Sequence, residues 1–167
     1  FTDNGTNIGG CWAFNITVSG TSNGAGTVKV AVNGLLQAQS NTISASAWSL
    51  TNVSVGTGQI VTVWIDGASD AGESTAVGKY DGAGSMTGMI LNTNVFYIGS
   101  DDNQSLTFSD LNTSGNGYDC TDDEDVMYSG ASNTLSVEGV GCAGGANSYA
   151  DERIQIGIAD TFTIGAV

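Results

Sequence analysis

At 167 residues, with seventeen Asp or Glu against three Lys or Arg, a formal charge of −14, and neither His nor Pro, the chain has the size of one large β domain or at most two small ones. That acidity excludes partners held through phosphates, so neither DNA, RNA nor an anionic membrane is expected, while cations are permitted. No stretch approaches the roughly 20 apolar residues of a membrane-spanning helix, and 40 % hydrophobic residues in β-length runs argue against disorder despite 25 glycines.

Only 12 % of residues are charged, so solubility rests on Ser, Thr, Asn and Gly, a mixture usual in secreted β proteins. An extracellular or cell-surface location is expected. Phe1, in place of an initiator Met, suits a processed mature end or a point inside a longer chain. Residues Phe1–Gly10 are polar and glycine-rich and read as an extended tail.

The first strand follows at Cys11–Val18. Trp12, Phe14, Ile16 and Val18 fall on one side, with Cys11, Ala13, Asn15 and Thr17 on the other. Gly20–Gly26 reads as a loop. In Thr27–Asn33 the residues Val28, Val30 and Val32 share a face and Lys29 points the other way, to solvent. Asn33-Gly34 signals a hairpin, and Leu35–Ser40 is the returning strand. Thr42–Val55 carries Ile43, Trp48, Leu50, Val53 and Val55, alternating most clearly from Trp48 onward.

The run Gln59–Asp66 is the centre of the expected fold. Val61, Val63 and Ile65 lie on one side, Ile60, Thr62 and Trp64 on the other. Two apolar or β-branched faces predict a strand covered on both sides. An acidic turn at Gly67–Ser74 precedes Thr75–Tyr80. Met86–Leu91 and Asn94–Gly99 are expected to pair, and Leu106–Phe108 is a short strand. After an acidic, irregular segment at Asp110–Asp125 come short strands at Val126–Tyr128 and Thr134–Val137. Ile154, Ile156 and Ile158 then alternate, followed by Phe162 and Ile164. No amphipathic helix is expected. Ten to twelve strands with frequent Gly, Asn and Asp turns predict an all-β fold, an antiparallel β-sandwich of jelly-roll-like or immunoglobulin-like form with an extended N-terminal strand.

The run Thr27–Gly34, then Trp48, then Gly58–Gly67 resembles an immunoglobulin-like or prealbumin-like repeat of large bacterial surface proteins. The stretch Tyr97–Asp125, with its acidic turns, is similar to the second half of such modules. The resemblance spans roughly Asn15 to Ile164 and implies an extracellular structural role. The chain is also similar to secreted β-sandwich subunits that polymerise by donating a terminal strand.

Catalysis has little to draw on. Without His the commonest general base is missing, and no Ser-x-x-Lys or CxxC pattern occurs. An enzyme is not expected, and no cofactor is required. Calcium is the one candidate ion: Asp110, Asn112 and Ser114 space oxygen ligands at alternate positions ahead of Gly115, with Asp119, Asp122 and Asp123 following. Thr121 stands where the usual bidentate Glu would be. A weaker cluster is Asp66, Asp70 and Glu73.

Five Asn-x-Ser/Thr sequons, at Asn4, Asn15, Asn52, Asn103 and Asn112, admit covalent glycans. Asn15 points away from the apolar side of the first strand, and a glycan on Asn112 would compete with calcium. Of the three cysteines, Cys120 and Cys142 would close a short loop, stabilising by roughly 3 kcal/mol. Cys11–Cys142 is the alternative pair, and Cys11 is otherwise buried or bonded to a neighbouring copy.

The sharpest functional expectation concerns the N-terminus. Residues 1–18 would form a tail and donor strand, and 19–167 the sandwich core. Inserting Trp12, Phe14, Ile16 and Val18 into a neighbour's open sheet would contribute on the order of 1.5–3 kcal/mol each. Such a head-to-tail contact does not close, so the partner is another copy of the chain and the product a filament. The alternative is a repeat module of a large adhesin or a carbohydrate-binding domain, with Trp48 or Trp64 as the platform.

Overall fold

In a computed structural model of the chain, residues 13–66, 74–93, 95–114, 126–129, 134–137 and 153–163 are described. They form an all-β, sandwich-like fold with one short helix. The larger sheet has six strands in the order β12 (Arg153–Ile156), β8 (Val95–Ile98), β6 (Ser74–Lys79), β5 (Ile60–Asp66), β2 (Thr27–Val32) and β3 (Leu35–Thr42). Facing it is a three-stranded sheet of β4 (Ala47–Gly56), β1 (Ala13–Ser22) and β7 (Met86–Leu91). Two small pairs complete it: β9 (Ser105–Thr107) with β13 (Thr161–Thr163), and β10 (Val126–Ser129) with β11 (Thr134–Val137).

The central strand is where its two apolar faces put it. β5 lies between β2 and β6, and Ile60 through Ile65 are all buried. Its Val61, Val63 and Ile65 join the main core between the sheets, with Val28, Val30 and Val32 of β2 and Trp48, Leu50, Val53 and Val55 of β4. Ile60 faces the opposite way into a second core, with Val77, Phe96, Ile98, Leu106 and Leu111. One sheet therefore separates two apolar layers, and each layer needs its own cover.

The Asn33-Gly34 turn joins β2 to β3 with both residues at positive φ, 47° and 75°, as a two-residue hairpin requires. Asn33 does more than turn the chain. Its N–H donates to the Ile60 carbonyl and its Oδ1 accepts from the Ile60 N–H, both at 2.8 Å, so the hairpin tip also holds the start of β5.

Pairing is mixed, where a purely antiparallel sandwich was expected. β1–β7, β6–β8, β8–β12 and β9–β13 all run parallel. The expected partnership of Met86–Leu91 with the next strand is also corrected. The chain crosses between sheets after Leu91, so β7 joins β1 and β8 joins β6. Asp110–Ser114, read as an irregular acidic loop, instead belongs to helix α1 (Phe108–Ser114), whose Leu111 is buried in the second core. At the C-terminal end the alternation of Ile154, Ile156 and Ile158 does not mark a buried face: these residues are 47 %, 46 % and 98 % exposed on and beyond an edge strand. Among the described residues no helix is long and apolar enough to cross a membrane.

Candidate functional site

β1 occupies a groove between β4 and β7. It pairs antiparallel with β4 from Ala13↔Gly56 to Thr21↔Ala47, and parallel with β7 from Val18↔Met86 to Ser22↔Leu91. Without it, β4 and β7 would have no strand between them. Lining the groove are Trp48, Leu50, Val53, Val55, Met86 and Met89, all buried in one cluster with Ile16 and Val18.

Two bulges shape this groove. Ile16 faces Val53 while Val18 faces Leu50, so β4 carries one residue more than β1 over this span. Asn52 absorbs it at φ 61°. The insertion explains why the buried residues of β4 change parity, from Trp48 and Leu50 to Val53 and Val55. Similarly Val18 faces Met86 and Gly20 faces Met89, and Gly88 at φ 75° takes up the extra residue of β7. Gly20 itself lies flat against β7, where a Cβ would overlap the Met89 carbonyl. The Trp48 indole N–H donates to the Thr21 carbonyl at 3.2 Å, fixing the end of the groove.

The expected insertion residues therefore divide. Ile16 and Val18 are buried within this chain's own core, and β1 runs on without interruption past residue 18 to Ser22. Phe14 is 42 % exposed and meets Tyr80 edge-on, ring centroids 6.3 Å apart. On the β7 side, pairing begins only at Val18, so Ala13–Ile16 is bonded along β4 alone. Trp12 lies outside the described residues, as do Cys11, Cys120 and Cys142 and hence every disulfide pairing considered.

For calcium, the loop geometry expected at Asp110–Ser114 is replaced by a helix. Asp110, Asn112 and Ser114 all fall within this helix and not in a loop. Asp110 is committed elsewhere. Its Oδ2 accepts from the Thr107 N–H at 2.8 Å and the Thr107 hydroxyl at 3.0 Å, while its own N–H donates to Thr107 Oγ1 at 3.3 Å. This is a capping box, with Asp in the place of the usual Glu. Lys79 Nζ completes the set at 3.2 Å from Oδ1. Thr107-x-x-Asp110 was the signal that could have announced the helix. Asp119, Asp122 and Asp123 fall outside the described residues, and so do Asp70 and Glu73. Asp66 pairs with Lys29 at 2.8 Å. Among the described residues no group of three or more acidic or thiol side chains is arranged to hold a metal.

Thr107→Ala should remove the cap and cost about 1 kcal/mol, read as a lower midpoint in chemical denaturation. An unchanged midpoint would mean that α1 is held by Leu111 and Phe108 alone.

Of the sequons, Asn15 on β1 and Asn52 at the β4 bulge are exposed. Asn103 is exposed but its amide donates to the Asp101 carbonyl at 2.6 Å, a bond a glycan would disturb. Asn112 lies in α1 and Asn4 lies outside the described residues. Trp48 and Trp64 are 3 % and 1 % exposed, so neither presents a face to a sugar. No family model, curated protein or solved structure matches the chain.

Proposed function

We propose that the chain is a structural subunit of an extracellular filament, in which the N-terminal strand of one copy fills the β4–β7 groove of the next. What carries this reading is the place of β1. It is the N-terminal strand of the described chain, yet it lies in the middle of its sheet and bridges two strands that otherwise do not meet. A groove that requires an inserted strand accepts that strand equally from its own chain or from an identical neighbour. In the isolated chain β1 fills its own groove. Exchange would turn on the four residues Asn23–Gly26 that separate β1 from β2, two of them glycine.

Acidity suits this role. Copies at −14 repel one another in solution, so assembly needs a contact that is apolar and extensively hydrogen-bonded, and strand exchange provides both. The exposed side chains of Asn15 and Asn52 leave room for glycans beside the groove without entering it.

A second reading is favoured by one observation: Ile16 and Val18 are already buried within their own chain. A module of a larger surface protein, with β1 permanently its own, would look the same.

Negative-stain electron microscopy of the full chain beside a version lacking Phe1–Val18 separates the two. Fibres from the full chain, lost on truncation, support exchange. Monomers from the full chain at every concentration, with a truncated version that does not fold, would establish the module instead.

A further inference from the structure

Four aspartates from three separate turns meet at one corner of the sandwich. Asp81 follows β6, Asp101 and Asp102 lie in the turn between β8 and β9, and Asp160 in the turn between β12 and β13. The two latter turns run side by side, because β12 pairs parallel to β8 and β13 parallel to β9. The C-terminal arm Arg153–Thr163 thus tracks β8, its turn and β9 along their length. Asp160 is where its turn meets theirs.

The fit there is close. A Cβ on either Gly99 or Gly157 would overlap Asp160 Oδ2, and Gly99 adopts φ 142°. Gly157 N–H donates to the Ile98 carbonyl at 2.8 Å, holding the arm against the end of β8. The Asp160 carboxylate accepts from the Ser100 N–H, but its Oδ1 is buried with no hydrogen-bond partner. An ionised carboxylate in that position leaves one buried charged oxygen without a protein donor. A protonated one does not.

The surrounding groups sharpen the problem. Asp102 faces Asp81 from the β6–β7 connection, Asp101 from its own turn, Asp160 from the arm and the hydroxyl of Tyr80 at the end of β6. Asp160 faces Asp101, and Tyr97 from β8. Both ion-paired lysines are engaged away from this corner, Lys29 with Asp66 and Lys79 with Asp110. Two of the carboxylates are well supplied with donors. Asp101 accepts from the Thr87 N–H and from its hydroxyl at 2.6 Å, and Asp81 accepts from the Ala83 N–H at 2.6 Å. Asp102 has a single backbone donor, the Asp81 N–H at 3.1 Å.

We propose that this corner is an acid-operated clasp: proton uptake by Asp102 and Asp160 locks the β12–β13 arm onto the sandwich, and proton loss loosens it. Burial, then the neighbouring carboxylates, push Asp102 up to about 6 against the opposing Asp81 N–H bond. Burial likewise raises Asp160, opposed by the Ser100 bond, with Asp101 adding to the rise. The direction of the linkage follows. A carboxyl raised in the docked state holds its proton more tightly there than when released, so docking strengthens as pH falls from above 6 toward 4 and weakens as pH rises through 6. This is the reverse of the usual acid lability of paired carboxylates.

Amide hydrogen exchange of the full chain at pH 7.5 and pH 5.0, corrected for intrinsic rates, tests it. The Gly157 and Asp160 amides should be protected up to about tenfold more at pH 5.0, a change Asp102 alone can supply. Asp102→Asn should show the higher protection at both pH values. Protection that is equal at the two pH values in the unmodified chain, or greater at pH 7.5, overturns the clasp. Carboxyl-carbon NMR titration of the unmodified chain decides independently of any variant's folding. Asp102 titrating near 6 supports the clasp, and titration in the ordinary carboxylate range overturns it.

Discussion

Val18→Asp should abolish cooperative folding, while Phe14→Ala, four residues earlier on the same side of the strand, should cost only about 1 kcal/mol. Val18 is fully buried at the point where β1 first contacts both neighbours, opposite Leu50 and Met86. An unpaired carboxylate there has no donor or cation to meet it, and a loss of more than about 4 kcal/mol is expected. Set against the roughly 5–15 kcal/mol that typically holds a domain, that loss removes most of the native population. Phe14 is partly exposed and loses only its flank and the edge contact with Tyr80. Circular dichroism during urea denaturation measures both. A Val18→Asp chain that melts like the original would show that the groove tolerates a charge at its centre, and β1 would not be the strand that completes the core.

The next largest effect is expected from a single methyl group. Gly20→Ala places a Cβ on the backbone carbonyl of Met89 and close to the Trp48 ring. A flexible side chain could move aside, but a strand backbone cannot shift without breaking its ladder. β7 should be levered away from β1, at a cost of roughly 3 kcal/mol or more, well beyond a typical surface substitution. Hydrogen exchange should then rise along Met86–Leu91 and stay unchanged at Asn33 and Ile60, on the far sheet. If Gly20→Ala instead raises stability, as glycine replacement in an unstrained strand would, the close approach of β1 and β7 is not maintained in solution.

Much of the larger sheet was legible because it obeys simple periods. In Thr27–Val32 the valines keep one parity from end to end, in Ile60–Asp66 both faces are apolar or β-branched, and Asn33-Gly34 names its own turn. The smaller sheet was harder. Buried residues change parity at Asn52 in β4 and at Gly88 in β7, and a strict period of two reads such bulges as breaks. Parallel pairing of β1 with β7 has no local signature, since its partners lie far apart in sequence.

Alternation misled at Ile154–Ile158, because an edge strand can expose both of its faces. Helix α1 escaped notice for a different reason. It has two turns of weak helix formers and depends on the Thr107–Asp110 cap and the burial of Leu111. The aspartate corner was invisible as a unit, because Asp81, Asp102 and Asp160 come together only once β12 and β13 lie along β8 and β9.

Whether β1 is exchanged between copies is tested most directly by cross-linking across its register. Asn15 and Ser54 stand opposite each other on β1 and β4, both exposed. One preparation carries Asn15→Cys, the other Ser54→Cys, and the two are mixed under assembly conditions and oxidised. Strand exchange predicts a disulfide joining the two preparations, formed only when both substitutions are present. If mixing gives no such product while the double variant closes the bond within a single chain, β1 stays at home and the filament reading is contradicted.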